Sequence, residues 1–119
     1  VHQCKTSALL CAAVRLGGMS ANCPPSHLQA LTRFGQHVGL AFQIVDDILD
    51  VTQSSEKLGK TAGKDARAQK ATYPALLGLD ASRRLAARLT AQAFAALALF
   101  RGRAAALEAL AGHLLRRDR

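Results

Sequence analysis

Three of the chain's eight acidic residues, Asp46, Asp47 and Asp50, fall within five positions of one another. Carboxylates at this density are hard oxygen donors suited to a divalent cation. At about 100° per residue on a helix, they share a face with Gln43, Gly39 and Gln36, an arc of roughly 100°. Phe34, Val38, Leu40, Ala41, Phe42, Ile44, Val45, Ile48 and Leu49 take the remaining circumference. A helix apolar nearly all round is a buried helix, and three carboxylates on it are costly unless paired or bound to metal. The pattern therefore asks for a polar cavity inside a helical protein, with divalent cations facing the acidic stripe.

Cationic residues follow directly. Lys57, Lys60, Lys64, Arg67 and Lys70 lie in a stretch loosened by Gly59 and Gly63. Gly59-Lys60-Thr61 resembles part of a phosphate-binding loop, but the G-x-x-x-x-G-K-[ST] spacing is absent and no strand precedes it. That fold is excluded. A glycine-containing lysine segment beside carboxylates still suits an anionic ligand bridged by cations. Read without that ligand, it is a solvated surface loop.

These groups need helices to hold them. Residues 1 to about 16 read as a helix that opens with Lys5-Thr6 and ends at Gly17-Gly18. Residues 19 to 25 read as a loop, followed by Ser26 as N-cap with Gln29 completing a capping box. The acidic stripe belongs to a helix over about 27–52. Gly35 and Gly39 within it point to close approach of another helix or of a ligand. Pro74 suits the first turn of a helix over 73–79. Asp80 or Ser82 would cap a further helix to about Phe100, Gly102 breaks the chain, and a last helix covers about 103–115. Leu85, Leu89, Phe94, Leu97, Leu107, Leu110 and Leu114 fall at core spacings.

Composition agrees with one all-α domain over residues 1–119. Half of the residues are hydrophobic and only 4% aromatic, which favours helix over sheet. The net charge of +8 raises nucleic-acid binding, yet the arginines of the last third sit at spacings usual for a solvated face, and no aromatic stacking platform accompanies them. Cys4, Cys11 and Cys23 match no zinc spacing. They read as small core residues, which suits a reducing, cytoplasmic setting. No apolar run is long enough for a transmembrane segment, and no signal peptide is read. The start at Val1, already in helix-like sequence, reads as a cut.

At Asp46-Asp47-Ile48-Leu49-Asp50 the chain resembles the trans-isoprenyl diphosphate synthases of the farnesyl/geranylgeranyl type. The matching pieces are ordered: Lys5-Thr6, Phe34-Gly35-Gln36, Gly39 through Asp47, Leu58 through Asp65, Lys70, Thr72-Tyr73-Pro74 and the ending Arg116-Arg117-Asp118-Arg119. The resemblance implies the antiparallel helices of the isoprenoid synthase fold and a Mg2+-dependent condensation of an allylic diphosphate with isopentenyl diphosphate. It implies Asp46, Asp47 and Asp50 as metal residues, with Asp47 in support. It implies Lys5, Lys60 and Lys70 on the allylic diphosphate, and Thr6 and Gln43 near the allylic cation, with Lys64 and the terminal arginines as weaker candidates for closing the site. It also implies a homodimer for the full-length enzyme. The family's first aspartate-rich motif has no counterpart in the 119 residues. The expectation is the C-terminal part of a synthase, inactive by itself. The alternatives are an accessory subunit that pairs with a full-length synthase and a terpene cyclase of the same fold.

Overall fold

A computed structural model describes residues 2–57 and 72–116, with side chains over 7–53 and 72–116. Among the described residues there is no strand; the elements are α1 (His2–Ser20), α2 (Pro25–Lys57), α3 (Tyr73–Leu77), α4 (Leu79–Ala96), a 3-10 turn (Leu97–Phe100) and α5 (Ala105–Leu115). The all-α expectation holds. None of the described helices is long and apolar enough to cross a membrane.

The axis of the molecule is α2, whose 33 residues extend about 50 Å at 1.5 Å per residue. That matches the longest dimension, 52 Å. α1 packs against it antiparallel, with Ser7 over Gly39 and Cys11 over Gly35. A methyl group on Gly35 would lie 2.9 Å from the Cys11 Cα, and one on Gly39 2.6 Å from the Ser7 Cα. Of the two roles open to these glycines, helix contact is the one observed. α4 runs antiparallel to α2 along another side. Phe34, Val38, Ala93 and Leu97 form one buried cluster, and Ala41, Ile44, Ala86 and Leu89 form a second nearer the acidic end. α5 lies over the first cluster through Leu107 and Ala111, and Leu115 reaches the second.

Several boundaries differ from the sequence reading. α1 continues through Gly17-Gly18 to Ser20, and Gly18 is buried against Leu31, Cys23 and Leu28, where an added Cβ would come within 2.7 Å of the Leu31 Cδ1. Gly18 is thus a packing position rather than a helix stop. α2 begins at Pro25 with the Pro24 carbonyl accepting from the His27 and Leu28 amides. Ser26 is thus inside the helix rather than its cap. α3 stops at Leu77 because Gly78 adopts φ +93°, a backbone open to glycine. α4 then starts at Leu79, so Asp80 and Ser82 both lie inside it. Ser82 is fully buried and its hydroxyl donates to the Gly78 carbonyl at 2.8 Å. The helix expected to reach Phe100 tightens to 3-10 after Ala96, and Gly102 (φ +86°) precedes α5, which opens at Ala105. Leu110, expected in the core, is 54% exposed. On α1, Leu9 and Leu16 are exposed as well.

Candidate active site

The acidic stripe occupies the last third of α2, and its three carboxylates sit in different surroundings. Asp47 is buried, Asp46 half-buried and Asp50 exposed. Asp47 Oδ1 accepts from the Gln43 Nε2 one turn earlier at 3.1 Å, and its Oδ2 accepts from the Tyr73 backbone N–H at 3.3 Å. Tyr73 is the first residue of α3, so a carboxylate on α2 receives the chain as it returns. Tyr73, like Val45, Ile48 and Leu115, packs against the second core cluster. The helix start at Tyr73-Pro74 was legible in the sequence, and the acceptor Asp47 for its first N–H was not. The available signal was the pairing of a capping threonine with a proline, which marks a helix start and hence an orphan N–H.

Lys5 and Thr6 belong to the first turns of α1. The antiparallel register that sets Cys11 over Gly35 and Ser7 over Gly39 carries the start of α1 toward the level of Gln43. The backbone thus brings the Lys-Thr turn and the start of the acidic stripe to the same end of the helix pair. Lys60, Lys64, Lys70 and the ending 117–119 lie outside the described residues. Arg116 is described: its Nε donates to the Gly112 carbonyl at 3.2 Å, and it closes the end of α5.

A groove of about 690 Å³ runs between α1 and α2, lined by Ser7, Ala8, Cys11, Ala12, Gln36 and Leu40, with Arg15 at its far end. Gln36 and Leu40 project from the same side of α2 as Gln43 and Asp47, by the helical period. The groove therefore continues the acidic face in an apolar direction. Arg15 donates to the Thr32 hydroxyl at 2.6 Å, and that hydroxyl donates to the Leu28 carbonyl at 2.8 Å. Burial pushes the Cys11 thiol up from its ordinary pKa, against a smaller opposing pull from Arg15. Its Sγ contacts the Thr32 carbonyl at 3.5 Å.

An all-α protein with paired carboxylates at one end of a long central helix and an apolar groove leading away from them is the class that fold and site define. Comparison with known proteins places it. The polyprenyl synthetase family model matches residues 1–101, and the chain belongs to that family. It is 49% identical over 119 residues to a chloroplastic geranylgeranyl pyrophosphate synthase of Catharanthus roseus, covering 99% of this chain and 33% of that protein. It is 47% identical over 117 residues to a dimethylallyltranstransferase of Fischerella ambigua, covering 98% and 34%. A crystal structure assigned as a farnesyl-diphosphate synthase of Marinomonas sp. MED121 superposes with a TM-score of 0.76 at 38% identity, over 93% of this chain and 36% of that one. The chain thus spans about a third of the length of these relatives.

The family implies a divalent metal, and the residues present can be tested against it. Asp46 and Asp50 are one helical turn apart, where side chains share a face. Their oxygens suit a hard cation. Among the described residues no group of three or more His, Cys, Asp or Glu is placed to hold a metal ion. The donor type fits, and the described part of the stripe offers two carboxylates, Asp46 and Asp50, on one face.

Proposed function

We propose that this chain is the C-terminal part of a Mg2+-dependent trans-prenyltransferase and carries the second aspartate-rich half of its site. In this reading an allylic diphosphate loses its diphosphate, the resulting carbocation alkylates isopentenyl diphosphate, and a proton is lost. Asp46 and Asp50 would hold Mg2+, which when bound neutralises charge gathering on the departing diphosphate. Lys5, Lys60 and Lys70 would hold the diphosphate oxygens, stabilising the same developing charge. Thr6 and Gln43 would turn oxygens toward the allylic cation. The Gln43 amide nitrogen is committed to Asp47, so its oxygen is the end available for a cation. The groove lined by Ala8, Ala12 and Leu40 would take the hydrocarbon chain.

The observation that carries the reading is the continuity of one face of α2. It presents carboxylates at one end and apolar groove at the other, which matches an amphiphile with an anionic head. The first aspartate-rich motif is absent from these residues, so the 119-residue chain alone should give no turnover. The test is a chimera in which these residues replace the corresponding third of the Catharanthus roseus synthase. It should convert radiolabelled isopentenyl diphosphate and an allylic diphosphate into prenyl product in the presence of magnesium. A folded chimera without product would overturn the reading.

A further inference from the structure

We infer that Asp47 is a positioning residue: its carboxylate clamps the N-terminus of α3 to the acidic helix and thereby sets where the chain returns after the lysine-rich segment. The functional half of this inference rests on the prenyltransferase reading, while the structural half stands without it.

The three aspartates of the stripe are equivalent in sequence and inequivalent in space. Asp47 alone among them is buried, at 7% exposure. Each of its oxygens already accepts from a protein donor, one from the Gln43 side chain and one from the Tyr73 backbone. A buried carboxylate in that state is satisfied by the protein.

The donors of α3 account for the choice of partner. A helix start leaves its first N–H groups without intrahelical acceptors. In α3 the Leu76 N–H reaches the Thr72 carbonyl at 3.1 Å, and the Ala75 N–H reaches the Thr72 hydroxyl at 3.4 Å. Pro74 has no N–H. Tyr73 is the remaining donor, and Asp47 takes it. A carboxylate at a helix start is also favoured by the peptide dipoles. Thr72, Tyr73, Pro74 and Asp47 thus form one complete cap. It joins two segments 26 residues apart.

Asparagine separates positioning from charge. In Asp47→Asn the side-chain oxygen can accept from Tyr73 while the new NH2 donates to a flipped Gln43 amide, so both links persist without charge. In Asp47→Ala both are lost. Amide exchange of Tyr73, followed by NMR on the 119-residue chain, should be about tenfold faster or more in Asp47→Ala, the scale of a lost charge-assisted bond. It should stay within about threefold in Asp47→Asn and in Asp46→Ala. In the chimera, Asp46→Asn should lower kcat about 10²-fold.

Unchanged Tyr73 exchange in Asp47→Ala would overturn the clamp. If Asp47→Ala does not fold, Asp47→Asn decides, and Tyr73 exchange as fast as in unstructured chain would overturn it equally. Full activity of Asp46→Asn would instead sink the role given to Asp46, and leave the Tyr73 result standing.

Discussion

The two halves of α2 are both covered by neighbouring helices, and they are covered by different physics. From Phe34 to Ala41 the contact is steric. Gly35 and Gly39 lie against the backbone of α1 at distances that admit no side chain, and Phe34, Val38 and Ala41 are buried beside them. From Gln43 to Asp50 the contact is polar at its key point, with Asp47 accepting from Gln43 and from the Tyr73 amide. Close packing loses energy abruptly when a single atom is added. Hydrogen-bonded carboxylates can instead be exchanged for neutral groups at modest cost if partners remain. Stability should therefore be concentrated in the glycine half and function in the acidic half.

The sharpest way to break that division is Asp46→Ala. In the chimera it should lower kcat by about 10² or more, the scale of removing a group that stabilises transition-state charge. The thermal midpoint should move only a few degrees, since deleting a half-buried carboxylate also deletes its desolvation cost. A rate loss matched by unfolding would mean that the acidic half is structural. Gly39→Ala tests the opposite half. The methyl would fall 2.6 Å from the Ser7 Cα, which is backbone and cannot rotate away. Overpacking of this kind costs about 1–3 kcal/mol, more than the roughly 1 kcal/mol that alanine gains over glycine in a helix. Urea unfolding should show net destabilisation. A variant as stable as the parent would show that α1 can move off α2 freely. Gly17→Ala has the opposite sign and a smaller size. Nothing lies within 4 Å of the added methyl, so the helix preference stands alone and the variant should be more stable by about 0.5–1 kcal/mol.

Gly17 and Gly18 also show what could and could not be read in advance. A Gly-Gly pair is a sound helix-stop signal by local rules. It fails here, where Gly18 packs inside the helix against Leu31 and Cys23, a tertiary setting that a single sequence does not display. The same holds for Ser26, a good cap by type, which the turn at Pro24 leaves inside the helix. The acidic stripe was legible because it is a periodic pattern on one helix, where spacing alone decides the face. So was the role of Gly35 and Gly39 as contact positions, though not the partner residues Cys11 and Ser7. What stayed hidden at the site is the difference in burial and partners between Asp46 and Asp47. Adjacent residues of one type have the same local chemistry, and the arrival of Tyr73 from 26 residues away sets Asp47 apart. Leu110 misled because α5 has core spacings on a face that the described helices leave uncovered.

The smallest effect lies where the two halves meet the groove, at Cys11. Its thiol is half-buried against Gly35, and burial raises its pKa while Arg15 pulls more weakly the other way. The nucleophile in alkylation is the thiolate, so a raised pKa means a smaller reactive fraction at any pH below it. Iodoacetamide at mildly alkaline pH should therefore label Cys11 several-fold more slowly in the folded chain than in urea, read by mass spectrometry of the peptides. The gap should narrow as pH rises, because the folded thiol then ionises too. Arg15→Ala removes the charge that favours the thiolate, along with the bond to Thr32, so it should slow the labelling further if the groove keeps its shape. Faster labelling in Arg15→Ala would show instead that the Arg15–Thr32 bond holds α1 against α2 at this end. The steric account of the glycine half would then have to include a polar latch.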